Sequence, residues 1–209
     1  MKKSFVIAFA LLASNASFAA DKYVVNTTDT TIAWTGSKSL VDSKHVGTID
    51  VKEGYLEFTK GDLTGGQFVV DMTTIKNSDV KDEKYNQKLV GHLKSEDFFH
   101  VSDHPTASFI ITKVTPVKKQ KDTYNVTGTL TIKGTDNEYT IENVKITENK
   151  GIVTVTPSIT INRKDYGITY NAKSTFEKIT DELKDRVIAD EFTLDVKLVA
   201  AAEKAAKTK

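Results

Sequence analysis

The 209-residue chain has no cysteine. Disulfides, thiol nucleophiles, cysteine-ligated metals and a lipoprotein-type cysteine anchor are excluded together. Charge of one sign is also missing: the formal net charge is +1, and Lys2 and Lys3 lie in a segment expected to be removed. A mature chain this close to neutral has no basic surplus with which to neutralise a phosphate backbone, so nucleic acid is not an expected partner. No G-x-S-x-G elbow occurs, and no Gly-rich loop precedes a helix in the manner of a phosphate cradle. After the first residues, no apolar run approaches the roughly 20 residues a membrane-spanning helix needs.

The chain is otherwise ordinary for a folded domain. Hydrophobic residues make up 39% and charged residues 27%, which argues against global disorder. The length suits one domain with a sizeable core. The N-terminus reads as an export signal: a positive MKK, an apolar run over residues 5–12, and Ser17-Phe18-Ala19 with small residues where a signal peptidase reads. Cleavage is expected after Ala19 or, alternatively, after Ala20. The expected layout is a signal peptide over residues 1–19, one domain over 20–199, and a frayed tail over 200–209 that is too short to hold a helix alone. The expected location is the periplasm.

Threonine, valine and isoleucine dominate, and period-two alternation recurs throughout. Ile32 and Trp34 share a face; so do Leu56 with Phe58, and Phe68 with Val70 and Met72. Residues 124–133 alternate throughout, with Tyr124, Val126, Gly128, Leu130 and Ile132 on one side and polar residues on the other. Val153, Val155, Ile159 and Ile161 form another face, and Phe192, Leu194, Val196 and Leu198 the last. Turns are expected at Glu53-Gly54, Gly61-Asp62, Gly65-Gly66, Thr135-Asp136-Asn137 and Asn149-Lys150-Gly151. Residues 77–99 lose the alternation; Val90 and Leu93 suit a short helix. Residues 174–190 read as a second helical or irregular insert. About eight strands with one dry face each make either a closed barrel or a sandwich. Gly128, inside a strand, suits the bends of a closed barrel.

His92, His100 and His104 fall close together beside Glu96, Asp97 and Asp103, a composition that could hold a metal. Pro105 restricts His104 to extended backbone and removes a helical i, i+4 ligand face, so no metal is expected. Phe98 and Phe99 cannot both point inward if extended; one is expected to plug an end of the fold. His45 shares parity with Ile49 and Val51. Arg163 shares parity with Ile161, and either reaches inward or pairs with Asp165.

Four motifs occur in order: HLKSEDFF (residues 92–99), HPTASF (104–109), GTLTIKG (128–134) and INRKDYGI (161–168). Together they resemble the YceI family of periplasmic, lipocalin-like proteins, over residues 22–199. Trp34, Gly36 and Lys38 match a W-x-G-x-K opening found in that family, whereas His100 and His104 depart from its commoner pattern. The resemblance implies an all-β fold: an extended antiparallel, lipocalin-like barrel of about eight strands with one or two short helices. It also implies a polyisoprenoid or other long-chain lipid in the interior.

On that footing, the inward aromatics Trp34, Phe58, Phe68 and Phe192 are expected to line a ligand cavity with Leu56, Val70, Leu130, Ile132 and Ile161. Lys38, His45 and Arg163 are expected at its mouth, against the head group. The expected protein is a non-enzymatic, cofactor-free binding protein that carries, stores or sequesters a polyprenyl or isoprenoid-quinone lipid. Two alternatives are an enzyme acting on a bound lipid or quinone with His45 as acid or base, and a filled structural or stress-response barrel. A homodimer through an edge strand or the tail is compatible with all three.

Overall fold

A computed structural model describes residues 20–203; the expected signal peptide and the last six residues of the expected tail lie outside the described residues. Among the described residues ten strands, all pairing antiparallel, form one sheet. They are β1 (Asp21–Val25), β2 (Thr31–Lys38), β3 (Lys44–Thr59), β4 (Asp62–Asn77), β5 (Thr106–Pro116), β6 (Thr123–Ile132), β7 (Thr135–Asn149), β8 (Ile152–Val155), β9 (Ser158–Asn162) and β10 (Ile188–Ala202). One helix, α1 (Glu83–Lys94), interrupts them between β4 and β5.

The order is a meander that closes on itself. β1 and β2 lie end to end between β3 and β10, as two halves of one broken strand. β8 and β9 lie end to end along the other side of β10. Ten segments therefore occupy eight positions, and β10 joins the last position to the first. This is the closed alternative left open by the alternation, and closure removes the exposed edges that a flat sheet would carry.

Three hairpins turn on the same dipeptide. Lys60-Gly61, Lys133-Gly134 and Lys150-Gly151 all have positive φ at both residues, with Thr59 paired to Asp62, Ile132 to Thr135 and Asn149 to Ile152. These are two-residue turns of the hand that matches strand twist. The turn expected at Thr135-Asp136-Asn137 thus lies two residues earlier, and those three residues begin β7. Glu53-Gly54 and Gly65-Gly66 are not turns either: both sit inside long strands. Register slips between Val51 and Glu53, where β3 carries an extra residue. That bulge lets Val51 and Leu56 both face inward although their spacing is odd.

The tail expected to fray from Ala200 instead completes the barrel wall. Ala200 pairs with Val25 and with Val153 and is fully buried, and strand β10 runs on to Ala202. Small side chains suit that position, where β1 and β8 close in from both sides. The expected second insert is a loop with short 3-10 turns at Lys173–Thr175 and Asp181–Arg186, and it ends earlier, at Val187.

The two ends of the barrel differ. At the floor, Leu56, Phe58, Leu63, Tyr124, Val126, Val144, Val153 and Leu198 are buried in one cluster. At the other end, Phe98, Ile132, Ile161, Tyr166 and Ile168 form a second cluster. Helix α1 lies over this second end. Asp82 caps it by accepting from the Tyr85 amide, and the Asn86 amide donates to the carbonyls of Asn77 and Val80, tying it to the end of β4.

Candidate ligand-binding site

Between floor and mouth runs a cavity of about 430 Å³, lined almost wholly by aliphatic and aromatic side chains. Period-two alternation places them: each wall strand sends every second residue inward. Two rows cross the wall. Gly54, Phe68, Phe109 and Leu130 are successive partners across β3, β4, β5 and β6. Ile159, Leu194, Trp34 and Gly47 are successive partners across β9, β10, β2 and β3.

Glycines in or beside these rows are seats for aromatic rings. A Cβ on Gly47 would lie 1.9 Å from the Lys76 carbonyl oxygen and 2.5 Å from the Trp34 ring; on Gly54, 2.8 Å from the Phe68 ring; on Gly128, 2.7 Å from the Phe109 ring. No side chain fits under those rings, so Trp34, Phe68 and Phe109 lie against the wall and leave the centre open. The Trp34 indole N–H donates to the Lys76 carbonyl at 3.1 Å, which fixes the ring.

Of the residues expected to line a cavity, Trp34, Lys38, His45, Leu56, Phe68, Val70, Leu130, Ile132, Ile161, Arg163 and Phe192 border it. Phe58 does not. It is buried at the floor with its ring edge-on to Tyr23 at 5.1 Å, so it seals the barrel beyond the cavity. Residues not foreseen also line the site: Phe109 and Ile111 from β5, Ile159 from β9, Ile188 at the start of β10, and Leu89 and Leu93 from α1. The one sequence signal for Phe109 was Gly128 inside a strand, which asked for a ring to cover it. Phe98 is the inner member of the Phe-Phe pair, buried at the mouth end; Phe99 is half-buried and also borders the cavity.

The polar residues at the mouth have different roles. Arg163 is buried at 3% exposure, and its guanidinium is spent on main-chain carbonyls rather than on Asp165. Its Nε donates to the Ala189 carbonyl and Nη1 to the Ile168 carbonyl, both at 2.9 Å, and Nη2 to the Ile188 carbonyl at 3.2 Å. Burial lowers its pKa, against the nearby Asp190. The guanidinium is thus a clamp joining the 163–168 turn to β10, and only its side borders the cavity. The expected pairing with Asp165 is replaced because carbonyls at the start of β10 lie nearer. Asp190 holds Lys164 instead, at 2.7 Å.

His45 stands at the rim with Nδ1 2.9 Å from Asp79 Oδ2. Burial alone raises the Asp79 carboxyl. The Val46 amide at 2.8 Å, His45 and the Asn77 amide outweigh that and hold it at about 2, below the ordinary 3.8. The pair orients the imidazole at the cavity edge. Ser37 and Ser43 also border the cavity, but no serine hydroxyl bonds to His45 among the described residues. His92 Nε2 lies 3.2 Å from Asp97, and His100 Nε2 lies 3.7 Å from Glu96 and 3.5 Å from Asp103; no metal-holding cluster occurs among the described residues.

On one side the wall is not laddered. β7 pairs with β8 only over residues 146–149, and its earlier residues pair with β6 alone. Side chains bridge the seam to β9: the Tyr139 hydroxyl donates to the Thr160 carbonyl at 2.5 Å, and the Asn137 amide to the Asp165 carbonyl at 2.9 Å.

Comparison with known proteins agrees with this geometry. Residues 23–200 match the family model described as YceI-like domain. UPF0312 protein SAS2572 of Staphylococcus aureus (strain MSSA476) is 31% identical over 137 residues, 61% of this chain and 75% of that protein. UPF0312 protein ECA1782 of Pectobacterium atrosepticum is 49% identical over a shorter stretch of 43 residues, 21% of each chain. Among solved structures, Burkholderia cenocepacia BcnA superposes with a TM-score of 0.59 at 23% identity, covering 85% of this chain and 99% of that one. A polyisoprenoid binding domain from Saccharophagus degradans superposes with a TM-score of 0.59 at 14% identity, covering 87% and 98%. At such identities the structural likeness is one of fold. With the family model spanning nearly every described residue and the barrel closed as above, the chain belongs to the YceI family.

Proposed function

We propose that this protein is an exported, non-enzymatic carrier that holds a long-chain isoprenoid lipid, of polyprenyl or isoprenoid-quinone type, in the barrel interior. The observation that carries the reading is the cavity itself: about 430 Å³ of space in the barrel, lined by apolar side chains. Apolar walls that face unfilled space forgo the dispersion contacts a packed core would give them. Water gains little in a cavity with so few polar partners. A hydrocarbon chain restores the lost contacts, at about 0.8 kcal/mol gross for each methylene taken from water. The volume also lies within the roughly 300–1,000 Å³ typical of small-molecule sites. The isoprenoid class draws support from the Saccharophagus degradans domain, which shares the fold and is described as polyisoprenoid binding. Export, with the periplasm as destination, rests on the N-terminal sequence.

Native mass spectrometry of protein purified from its own host, followed by organic extraction, tests the reading. A co-purifying prenyl lipid is expected. The chain has a single tryptophan, and Trp34 borders the cavity, so uptake of added lipid is readable as a change in its fluorescence. Leu130→Trp, which fills mid-cavity beside Phe109, is expected to lower affinity for a long prenyl chain at least about tenfold while leaving the fold intact. Protein that carries no lipid, and whose Trp34 emission ignores added prenyl chains, sinks the proposal.

A further inference from the structure

The wall carries a third row, nearer the mouth. Ile161, Phe192, Gly36 and His45 are successive partners across β9, β10, β2 and β3, and all of them border the cavity. Its glycine differs from the others. Gly47, Gly54 and Gly128 lie under rings, whereas a Cβ on Gly36 would meet nothing within 4 Å. Gly36 therefore leaves a corner of open space in the wall, between Phe192 on one side and His45 on the other.

The charges at this corner balance. With Lys38 and Lys44, which border the cavity, come two carboxylates, Asp42 in the adjoining loop and Asp79 on His45. A charged head group would find no surplus of the opposite sign, so the head group that fits is neutral. Asp79 also sets which way His45 can bond. Its Oδ1 accepts from the Val46 amide at 2.8 Å and from the Asn77 side-chain amide, and its Oδ2 lies 2.9 Å from His45 Nδ1. Burial opposes ionisation, but these contacts prevail and hold the carboxyl at about 2, so at neutral pH it can only accept. The proton of the neutral imidazole therefore sits on Nδ1. That leaves Nε2 with a lone pair and no hydrogen. No side chain bonds to Nε2 among the described residues.

We infer that the corner at Gly36 takes the head group of the bound isoprenoid, and that this head group carries a hydroxyl, as in a prenol or a hydroquinone. Its O–H donates to His45 Nε2, and its oxygen accepts from the Lys38 ammonium. A quinone carbonyl or an ether only accepts, so against the Nε2 lone pair it leaves both sides unpaired. Asp79 is a positioning residue: it fixes the tautomer of His45 and does not touch the ligand. The inference rests on the lipid-carrier reading, but uptake and head-group choice have separate readouts.

The test follows uptake of four prenyl compounds of one chain length through Trp34 fluorescence, at about pH 8, where free imidazole is neutral. Farnesol carries the hydroxyl, farnesyl methyl ether and farnesal only accept, and farnesene has no head group. Affinity ratios are compared between variants, so that the hydration of each compound cancels. His45→Phe is expected to lower the farnesol-to-ether ratio about fivefold. Farnesene uptake should persist, which also shows that the variant folds. Asp79→Asn is the sharper variant. Its side-chain oxygen keeps the Val46 and Asn77 amides, so its NH2 turns to His45 Nδ1 and drives the ring proton to Nε2. Nε2 then donates, and farnesal and the ether are expected to gain on farnesol by about the same factor. Gly36→Val, which fills the corner, is expected to weaken farnesol more than farnesene. A farnesol-to-ether ratio that is the same in wild type and His45→Phe overturns the head-group assignment and leaves the carrier reading standing, as does a ratio that Asp79→Asn leaves unchanged. All four compounds weakened together in both variants would mark a structural role for the pair and also overturn it. If no compound, farnesene included, changes Trp34 emission, the carrier reading falls and the assignment with it.

Discussion

At the floor of the barrel, Phe58, Leu63, Tyr124, Val144 and Val153 fill the space between strands, and the Tyr124 hydroxyl reaches Asp62 at 3.2 Å. At the mouth, strands of the same alternating pattern surround an opening. Polar groups help to hold it: Arg163 on three carbonyls, Asp79 on the start of β3, and Asn86 tying α1 to β4. The floor is stabilised by removing apolar surface from water, a term that is short-ranged and indifferent to pH. The mouth has an apolar cluster of its own, around Ile161 and Ile168, and adds hydrogen bonds and charge, which fix positions without filling space. One sequence pattern thus makes a plug at one end and a socket at the other. What separates them is where large side chains meet each other and where they lie flat on glycine.

The largest expected effect is at the floor. Phe58→Ala removes a buried ring that packs against Tyr23 and lies beyond the cavity. A loss of about 3–5 kcal/mol is expected, measured by urea denaturation. Prenyl-chain affinity should change far less, since Phe58 does not border the site. A loss below about 1 kcal/mol would mean that the floor is not a sealed core, and the contrast between the ends would fall.

Arg163→Met sharpens the same contrast from the other side. The substitution keeps an apolar stem beside the cavity but leaves the carbonyls of Ile168, Ile188 and Ala189 without their donor. About 2–3 kcal/mol of destabilisation is expected, because each buried acceptor left unpaired costs a share of its desolvation. Protection from hydrogen exchange should drop first in residues 163–190 and not at the floor. A uniform drop over the whole barrel would show that mouth and floor unfold as one unit.

How much of this was legible beforehand follows from what period two encodes. Alternation assigns a face, so Trp34, Phe68, Val70, Leu130 and Phe192 are placed inward by sequence alone. It says nothing of depth along the axis: Phe58 has the right face, but β3 has already passed the cavity. It also fails where both parities are apolar. In β5, Ala107, Phe109 and Ile111 point inward, yet Ile110 is 43% exposed, and the mixed run hid Phe109. The bulge between Val51 and Glu53 has no sequence mark beyond Gly54. Partners of charged groups were least legible. The acceptors for Arg163 are main-chain carbonyls, two of them 25 and 26 residues away and one five, and a carbonyl has no letter in the sequence. A nearby Asp165 was the natural guess and the wrong one.

Asp79 gives the smallest effect and the one that separates the two ends by pH. Its carboxyl is held at about 2, below the ordinary 3.8, with burial opposing and the Val46 amide, His45 and Asn77 prevailing. A carboxyl whose pKa is lower folded than unfolded contributes stability above its unfolded value and loses it as pH falls through the folded one. The contribution should therefore be complete above about pH 4 and gone near pH 2. The side chain is 33% exposed, so solvent screening limits it to about 1 kcal/mol. Asp79→Asn, which mimics the protonated acid, should cost that amount near pH 7 and nearly nothing near pH 2, by urea midpoints. Phe58→Ala should cost the same at both pH values, because transfer of a ring out of water carries no proton. If the Asp79→Asn penalty is flat with pH, the carboxylate is not what anchors the rim, and the mouth would rest, as the floor does, on packing alone, here around Ile161 and Ile168.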